Sequence, residues 1–391
     1  MNVSKMKKPV LILFLFIVCI SQINGQEKER NWALNGYVKN MQTIMFSDIN
    51  EDWTTDNLFH NRLNFKWYPS KSITSSVEVR NRFFYGETVK SFSGYGNLIN
   101  VENGFFDLSD NLLEENSYIL HSTIDRAWLD YTLDKFQVRI GRQRINWGQT
   151  MVWNPNDIFN TYSFFDFDYE EKPGSDAVRI QYYKSSTSTA EIAVKADNQN
   201  RITAAGLYKF NKWNYDLQFM GGIINGNDFV LGTGYSGQLL KGGFSGELSY
   251  FHPKENYNDT SGTYVVSIAY NYMFKNSLYL HFEGLCNSKG RSSGDFNLNE
   301  FYFYDMSAKN LSLNKFSFIA QTTYPITPLI NGTFAVMYSP NDNFFFFGPT
   351  LSISLKENLD FSINAQAFTS DQSVENGGKG AFVFLRFKWS Y

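Results

Sequence analysis

Apolar and polar residues alternate with period two along almost the whole chain, as in strands that show one face to an apolar medium and the other to a polar one. At the C-terminal end Ala381, Val383, Leu385, Phe387, Trp389 and Tyr391 share one face, while Arg386, Lys388 and Ser390 fall on the other. Leu359, Phe361, Ile363, Ala365 and Ala367 oppose Asp360, Ser362, Asn364 and Gln366, and Leu278, Leu280 and Phe282 oppose Tyr279, His281 and Glu283. No amphipathic helix of comparable strength stands out. Counting such runs predicts about 18 strands, the first centred near residue 38 and the last near 385. Their connections alternate in length. The odd-numbered ones, at 46–55, 87–122, 148–174, 252–262, 289–312 and 369–380, are long, whereas even-numbered ones such as Leu133-Asp134-Lys135 and Lys356-Glu357-Asn358 are tight.

Short turns at one end and long loops at the other are the asymmetry of a transmembrane β-barrel, with its turns in the periplasm and its loops outside the cell. The predicted fold is therefore all-β: a single closed antiparallel transmembrane β-barrel of about 18 strands, with short periplasmic turns and long extracellular loops. Closure matters because an open sheet would leave two edges of unpaired backbone in lipid. A barrel of this strand number is wide enough to hold water.

Composition points the same way. Aromatic residues make up 18% of the chain, with 37 Phe and 24 Tyr, yet mean hydropathy is −0.34. Ring-rich but not apolar on average is what a barrel with a lipid face, aromatic girdles and a wet lumen requires. Lys5, Lys7 and Lys8 precede an uncharged run from Val10 to Ile20, so residues 1–25 read as a signal peptide and 26–391 as the barrel. A run this short does not span a bilayer as a helix. Losing three lysines and no acids takes the net charge from −3 to −6, which argues against a nucleic-acid partner. Only Cys286 then remains, so no disulfide framework forms. No cofactor or metal site is expected, and His60, His121, His252 and His281 are isolated, without zinc-ligand spacing. Catalysis is not expected.

The candidate chemistry lies on the lumen face. Alternation turns Arg62, Arg80, Arg82, Arg126, Arg139 and Arg179 inward, an arginine wall that would favour anions or acidic sugars in transit. Equally open is that these arginines pair with Glu78, Asp125, Asp130 and loop acids to neutralise the lumen. Arg142 and Arg144 break the pattern. In phase with Phe136, Val138 and Ile140 they would face lipid, at about 2–4 kcal/mol each near midplane. A bulge near Gly141 would bring both arginines into the wall and turn Ile145 and Trp147 outward; otherwise the strand has reached the rim.

The long loop 148–174 is rich in rings beside carboxylates. Trp153, Asn154, Asp157, Phe159, Phe164, Asp166 and Tyr169 are the candidates for a constriction folded into the mouth, for sugar stacking, or for a plug without ligand. The run Gly141-Arg142-Gln143-Arg144-Ile145-Asn146-Trp147-Gly148 ahead of this loop resembles alginate-export-type 18-strand barrels and porin-like barrels of the Bacteroidota. That resemblance implies a charged lumen and an inward loop. The final strand, ending in Tyr391, resembles the C-terminal strand that barrel-insertion machinery reads. The function expected is an outer-membrane, porin-like channel for passive diffusion of small solutes, with anions and saccharides or glycans as candidates. The alternative is a non-conducting barrel for surface assembly, or for glycan or capsule binding or export.

Overall fold

The computed structural model describes residues 30–50, 52–166, 168, 170–293, 304, 306–370 and 379–391. The expected signal peptide and Tyr169 lie outside them. Strands β1 (Trp32–Phe46), β2 (Thr54–Ser70) and β3 (Ile73–Gly86) are followed by two single-turn helices, α1 (Glu87–Ser91) and α2 (Tyr95–Ile99). Then come β4 (Ser109–Glu115), β5 (Tyr118–Leu133), β6 (Phe136–Gln143), β7 (Ser175–Ser185), β8 (Ser188–Ala196), β9 (Ile202–Lys212) and β10 (Tyr215–Ile224). The rest are β11 (Asp228–Leu239), β12 (Gly242–Pro253), β13 (Thr263–Met273), β14 (Tyr279–Asn287), β15 (Phe316–Thr327), β16 (Ile330–Ser339), β17 (Phe344–Lys356), β18 (Leu359–Thr369) and β19 (Gly380–Ser390).

Every strand pairs antiparallel with its neighbours, and β19 returns to β1 from Tyr37↔Ser390 to Phe46↔Ala381. The ring contains 18 strands, because β3 pairs directly with β5 and β4 only extends one edge of β5. The seam is finished by Tyr391, whose backbone exchanges two 3.0 Å hydrogen bonds with Gly36. Its hydroxyl donates to the Arg62 carbonyl at 3.2 Å. A Cβ on Gly36 would lie 2.9 Å from that hydroxyl, so glycine lets the last side chain cross the seam.

Alternation separates two environments. Ile192 is 61% exposed and its neighbour Ala193 fully buried; Phe282 is 51% exposed between His281 and Glu283, both buried. The outward set includes Phe65, Leu129, Ile140, Val178, Phe219, Ile268, Phe318 and Phe387. A contiguous apolar exterior of this extent suits hydrocarbon rather than water. No helix among the described residues is long and apolar enough to cross a membrane. The short turns use positive-φ residues, Trp213-Asn214 and Leu240-Lys241 among them, whose twist matches a two-residue hairpin.

Two expectations are corrected. The loop placed at 87–122 contains α1, α2 and β4, and β5 starts four residues earlier than that loop's end, at Tyr118. The bulge expected near Gly141 lies instead on β5. Glu78 pairs with Arg126 and Val79 with Ile124, so Asp125 is the extra residue, and Asp125 and Arg126 are both buried. Pairing through Gly141 is unbroken, although its φ of +113 bends β6 where a Cβ would meet the Ala127 carbonyl at 2.2 Å.

Candidate functional site

After Gln143 the chain leaves the wall and runs round the inside of the barrel before rejoining it at Ser175. The first half of this segment is pinned by side chains that alternation aims inward from every second strand. On β8, Glu191 accepts the Trp147 indole N–H at 2.8 Å. On β10, Gln218 donates to the Trp147 carbonyl at 2.7 Å. On β12, Glu247 accepts the backbone N–H of Gln149, of Thr150 at 2.9 Å and of Asn156 at 2.8 Å. On β14, Glu283 accepts those of Met151, Val152 and Trp153 at 3.2, 3.0 and 2.6 Å. These two carboxylates supply acceptors to a stretch of backbone that forms no sheet.

The second half closes the circuit. Phe165 packs against Phe346 and Phe368 with ring centroids 5.0 and 5.8 Å apart. Asp168 meets Lys39 at 2.6 Å, Glu170 meets Lys388 at 2.6 Å, and Glu171 accepts from the Tyr37 hydroxyl at 2.9 Å. Arg126 donates to the carbonyls of Glu171 and Lys172 at 2.7 and 2.8 Å.

The candidate loop residues divide accordingly. Trp153, Asn154, Asp157 and Phe159 are buried between the loop and the wall. Ile145 and Trp147, which a bulge near Gly141 would have turned outward, are buried inside in the same cluster, because the chain has already turned inward before them. Phe164 is partly buried against that cluster. Asp166 borders a cavity of about 300 Å³, shared with Trp153, Phe165, Tyr304, Asp342 and Gln366.

Burial pushes the Asp157 carboxyl up to about 7, against the pull of Arg144 and Lys195. Burial and the neighbouring Asp168 also raise Asp166. Asp168 is pushed up by burial too, but His60 and Lys39 outweigh this and hold it at about 2.

The arginines are mostly paired. Arg62 contacts Asp125 and lies 2.6 Å from Glu78 and 3.5 Å from Glu171. Arg80 meets Asp125 at 3.0 Å and Arg139 meets Asp130 at 2.8 Å. Arg82 stacks over Phe84, and Arg144 over Tyr162, at 5.2 and 5.5 Å. Arg179, in register with Arg139, has no ion pair among the described residues and its Nε lacks a hydrogen-bond partner. Arg142 does not join the wall. It falls in the outward register of Ile140, and it is enclosed by Asp176 at 2.8 Å, Glu102 at 2.7 Å and the Phe106 carbonyl at 2.6 Å. The strand has reached the rim there, and a loop rather than lipid receives the charge.

The sequence reading missed Glu191, Glu247 and Glu283 as anchors and Lys39, Arg386 and Lys388 as partners of loop acids. All six sit at inward positions of period-two strands, which was the signal available.

This architecture is that of an 18-stranded barrel of the outer-membrane type, with one loop folded inside. It is similar to the solved structure of Acinetobacter baumannii OccAB4, with a TM-score of 0.56 and 12% identity over 93% of this chain and 99% of that one. It is likewise similar to the outer membrane protein OprD from Pseudomonas aeruginosa, at 0.55 and 9% over 93% and 94%. For OccK8 (OprE) of the same organism the values are 0.54 and 9% over 92% and 98%. At these identities the likeness is one of fold. No protein-family model matches the sequence, and no curated protein matches it.

Proposed function

We propose that the chain is an outer-membrane channel through which small solutes diffuse passively. The observation that carries this reading is the combination of a closed 18-strand wall, apolar outside and charged inside, with a loop attached round its inner circumference. A wall that only had to bury a core would not place Arg139, Arg179 and Gln181 on its inner face. Of the arginine wall, Arg62 and Arg80 are tied to Asp125 and Arg139 to Asp130, which leaves Arg179, in register with Arg139 in the periplasmic half, as the residue best placed to face a passing anion. Outer-membrane lipid is the surrounding partner, and insertion machinery reading the strand that ends at Tyr391 is part of the same proposal. Similarity to alginate-export-type barrels and to porin-like barrels of the Bacteroidota belongs to the same proposal, and the 141–148 run alone supports it.

The test is the reversal potential of the purified protein in a planar bilayer under a salt gradient. Anion preference is expected, and Arg179→Gln is expected to shift the potential towards cations, whereas the paired Arg80→Gln and Arg139→Gln change it less. Electrical silence, together with retention on a polysaccharide column, would instead support a non-conducting surface barrel.

A further inference from the structure

β6 has 8 residues where β5 beside it has 16. Above the end of β6 the edge of β5 passes to β4: Arg142 pairs with Ala127, and Ser109 pairs with Thr123. One strand of the wall is thus assembled from two distant pieces, and the inward loop departs between them. The segment ahead of β4 then lies across the heads of β7 and β8. Gly104 bridges to Asp197, the Asn198 amide donates to the Glu102 carbonyl at 2.7 Å, and the Phe106 N–H donates to Asp176 at 2.9 Å. Arg142 clamps the segment from below through Glu102 and the Phe106 carbonyl.

This pinned segment shows two rings to the outside. Phe105 and Phe106 meet edge to face at 5.1 Å and are 48% and 57% exposed. Elsewhere on the upper rim strands supply outward rings, Tyr85 and Tyr118 on β3 and β5, Tyr250 and Tyr264 at 4.8 Å on β12 and β13, Tyr338 and Phe345 at 4.5 Å on β16 and β17, whereas the heads of β9 and β10 carry aliphatic residues such as Ile202, Ile223 and Ile224. The heads of β7 and β8 carry Ser175, Asp176, Lys195 and Ala196 instead. Directly below lie Ile140, Val178 and Val194 of the apolar exterior, so the two phenylalanines continue that surface upward.

We infer that Phe105 and Phe106 supply the outer aromatic girdle above β7 and β8 and are seated in lipid at the boundary between head groups and acyl chains. Rings of this kind mark both interfaces of a membrane barrel, and here a loop provides what two strands lack. The partner of this surface is lipid.

The inference rests on the outer-membrane placement proposed above, and the experiment separates the two. Spin labels are attached to Phe105→Cys, Phe106→Cys, Ile192→Cys and Glu255→Cys in a Cys286→Ser protein without residues 1–25, refolded into phospholipid vesicles. Accessibility to oxygen is compared with accessibility to a water-soluble nickel chelate. Positions 105 and 106 are expected to show an oxygen-to-nickel ratio like that of Ile192 and severalfold above that of Glu255. A ratio like that of Glu255 overturns the inference, and so does exclusion of both reagents, which would mean a second copy covers the rings. A water-like ratio at Ile192 itself would overturn the membrane placement instead.

Discussion

Asp157 shows what one enclosed carboxyl does to the inward loop. Its pKa is displaced from the usual carboxylate range to about 7 because burial disfavours the charge more than Arg144 and Lys195 favour it. A raised carboxyl binds its proton more tightly with the loop seated than with the loop released. Seating is therefore firmest at low pH, weakens between about 4 and about 7, and does not change further above that through this group. Asp168, held at about 2, acts with the opposite sign, and its contribution is lost only as pH falls through about 4 towards 2. Of these two carboxyls, only Asp157 changes its charge between pH 5 and 8. Current noise of the channel is expected to be lower at pH 5 than at pH 8, and Asp157→Asn at pH 8 is expected to match the native protein at pH 5. Equal noise in both proteins at both pH values would remove Asp157 from this role.

At the scale of elements, the loop is held by donors and acceptors rather than by sheet. Glu247 and Glu283 each accept three backbone N–H groups, and a hydrogen bond to a charged acceptor is worth ~1.5–3 kcal/mol net. Glu283→Gln turns an amide N–H₂ towards N–H donors, so losing even one such bond is expected to raise the released population of the loop roughly ten- to hundredfold. Proteolysis within the 149–160 stretch of the membrane-embedded protein measures this directly. Unchanged cleavage would mean that the aromatic packing alone seats the loop. The strands were legible in the sequence because a side-chain period of two survives wherever one face meets lipid, and the turns were legible because short and long connections alternate. What was not legible is where a strand ends against a neighbour far away in sequence. The sequence left a bulge near Gly141 and arrival at the rim as alternatives; the strand has reached the rim, the bulge sits at Asp125, and β4 finishes an edge that β6 leaves open. Likewise the sequence left open whether Arg62 meets a solute or pairs with Glu78, Asp125, Asp130 and loop acids, and the structure shows Arg62 paired. Its partners Asp125 and Glu171 are 63 and 109 positions away, so local alternation could name such acids as candidates but not choose between the two readings.

For the whole molecule, one closed wall sets every other property, since the lumen exists only because β1 and β19 meet. Tyr391 contributes two backbone hydrogen bonds and a ring laid across Gly36 at that junction. Deleting it is expected to lower the fraction that migrates as the compact, heat-modifiable form on unboiled gels, and a full yield of that form would make the residue dispensable for closure. On the proposed function, solute passage depends on the same wall together with the loop inside it. Single-channel conductance in planar bilayers, measured for the native protein and for a variant with residues 149–170 replaced by a short Gly-Ser linker, tests this most directly. Small steady steps from the native protein and severalfold larger ones from the variant are expected. Silence from both, or steps of equal size, would contradict a water-filled barrel narrowed by its own loop.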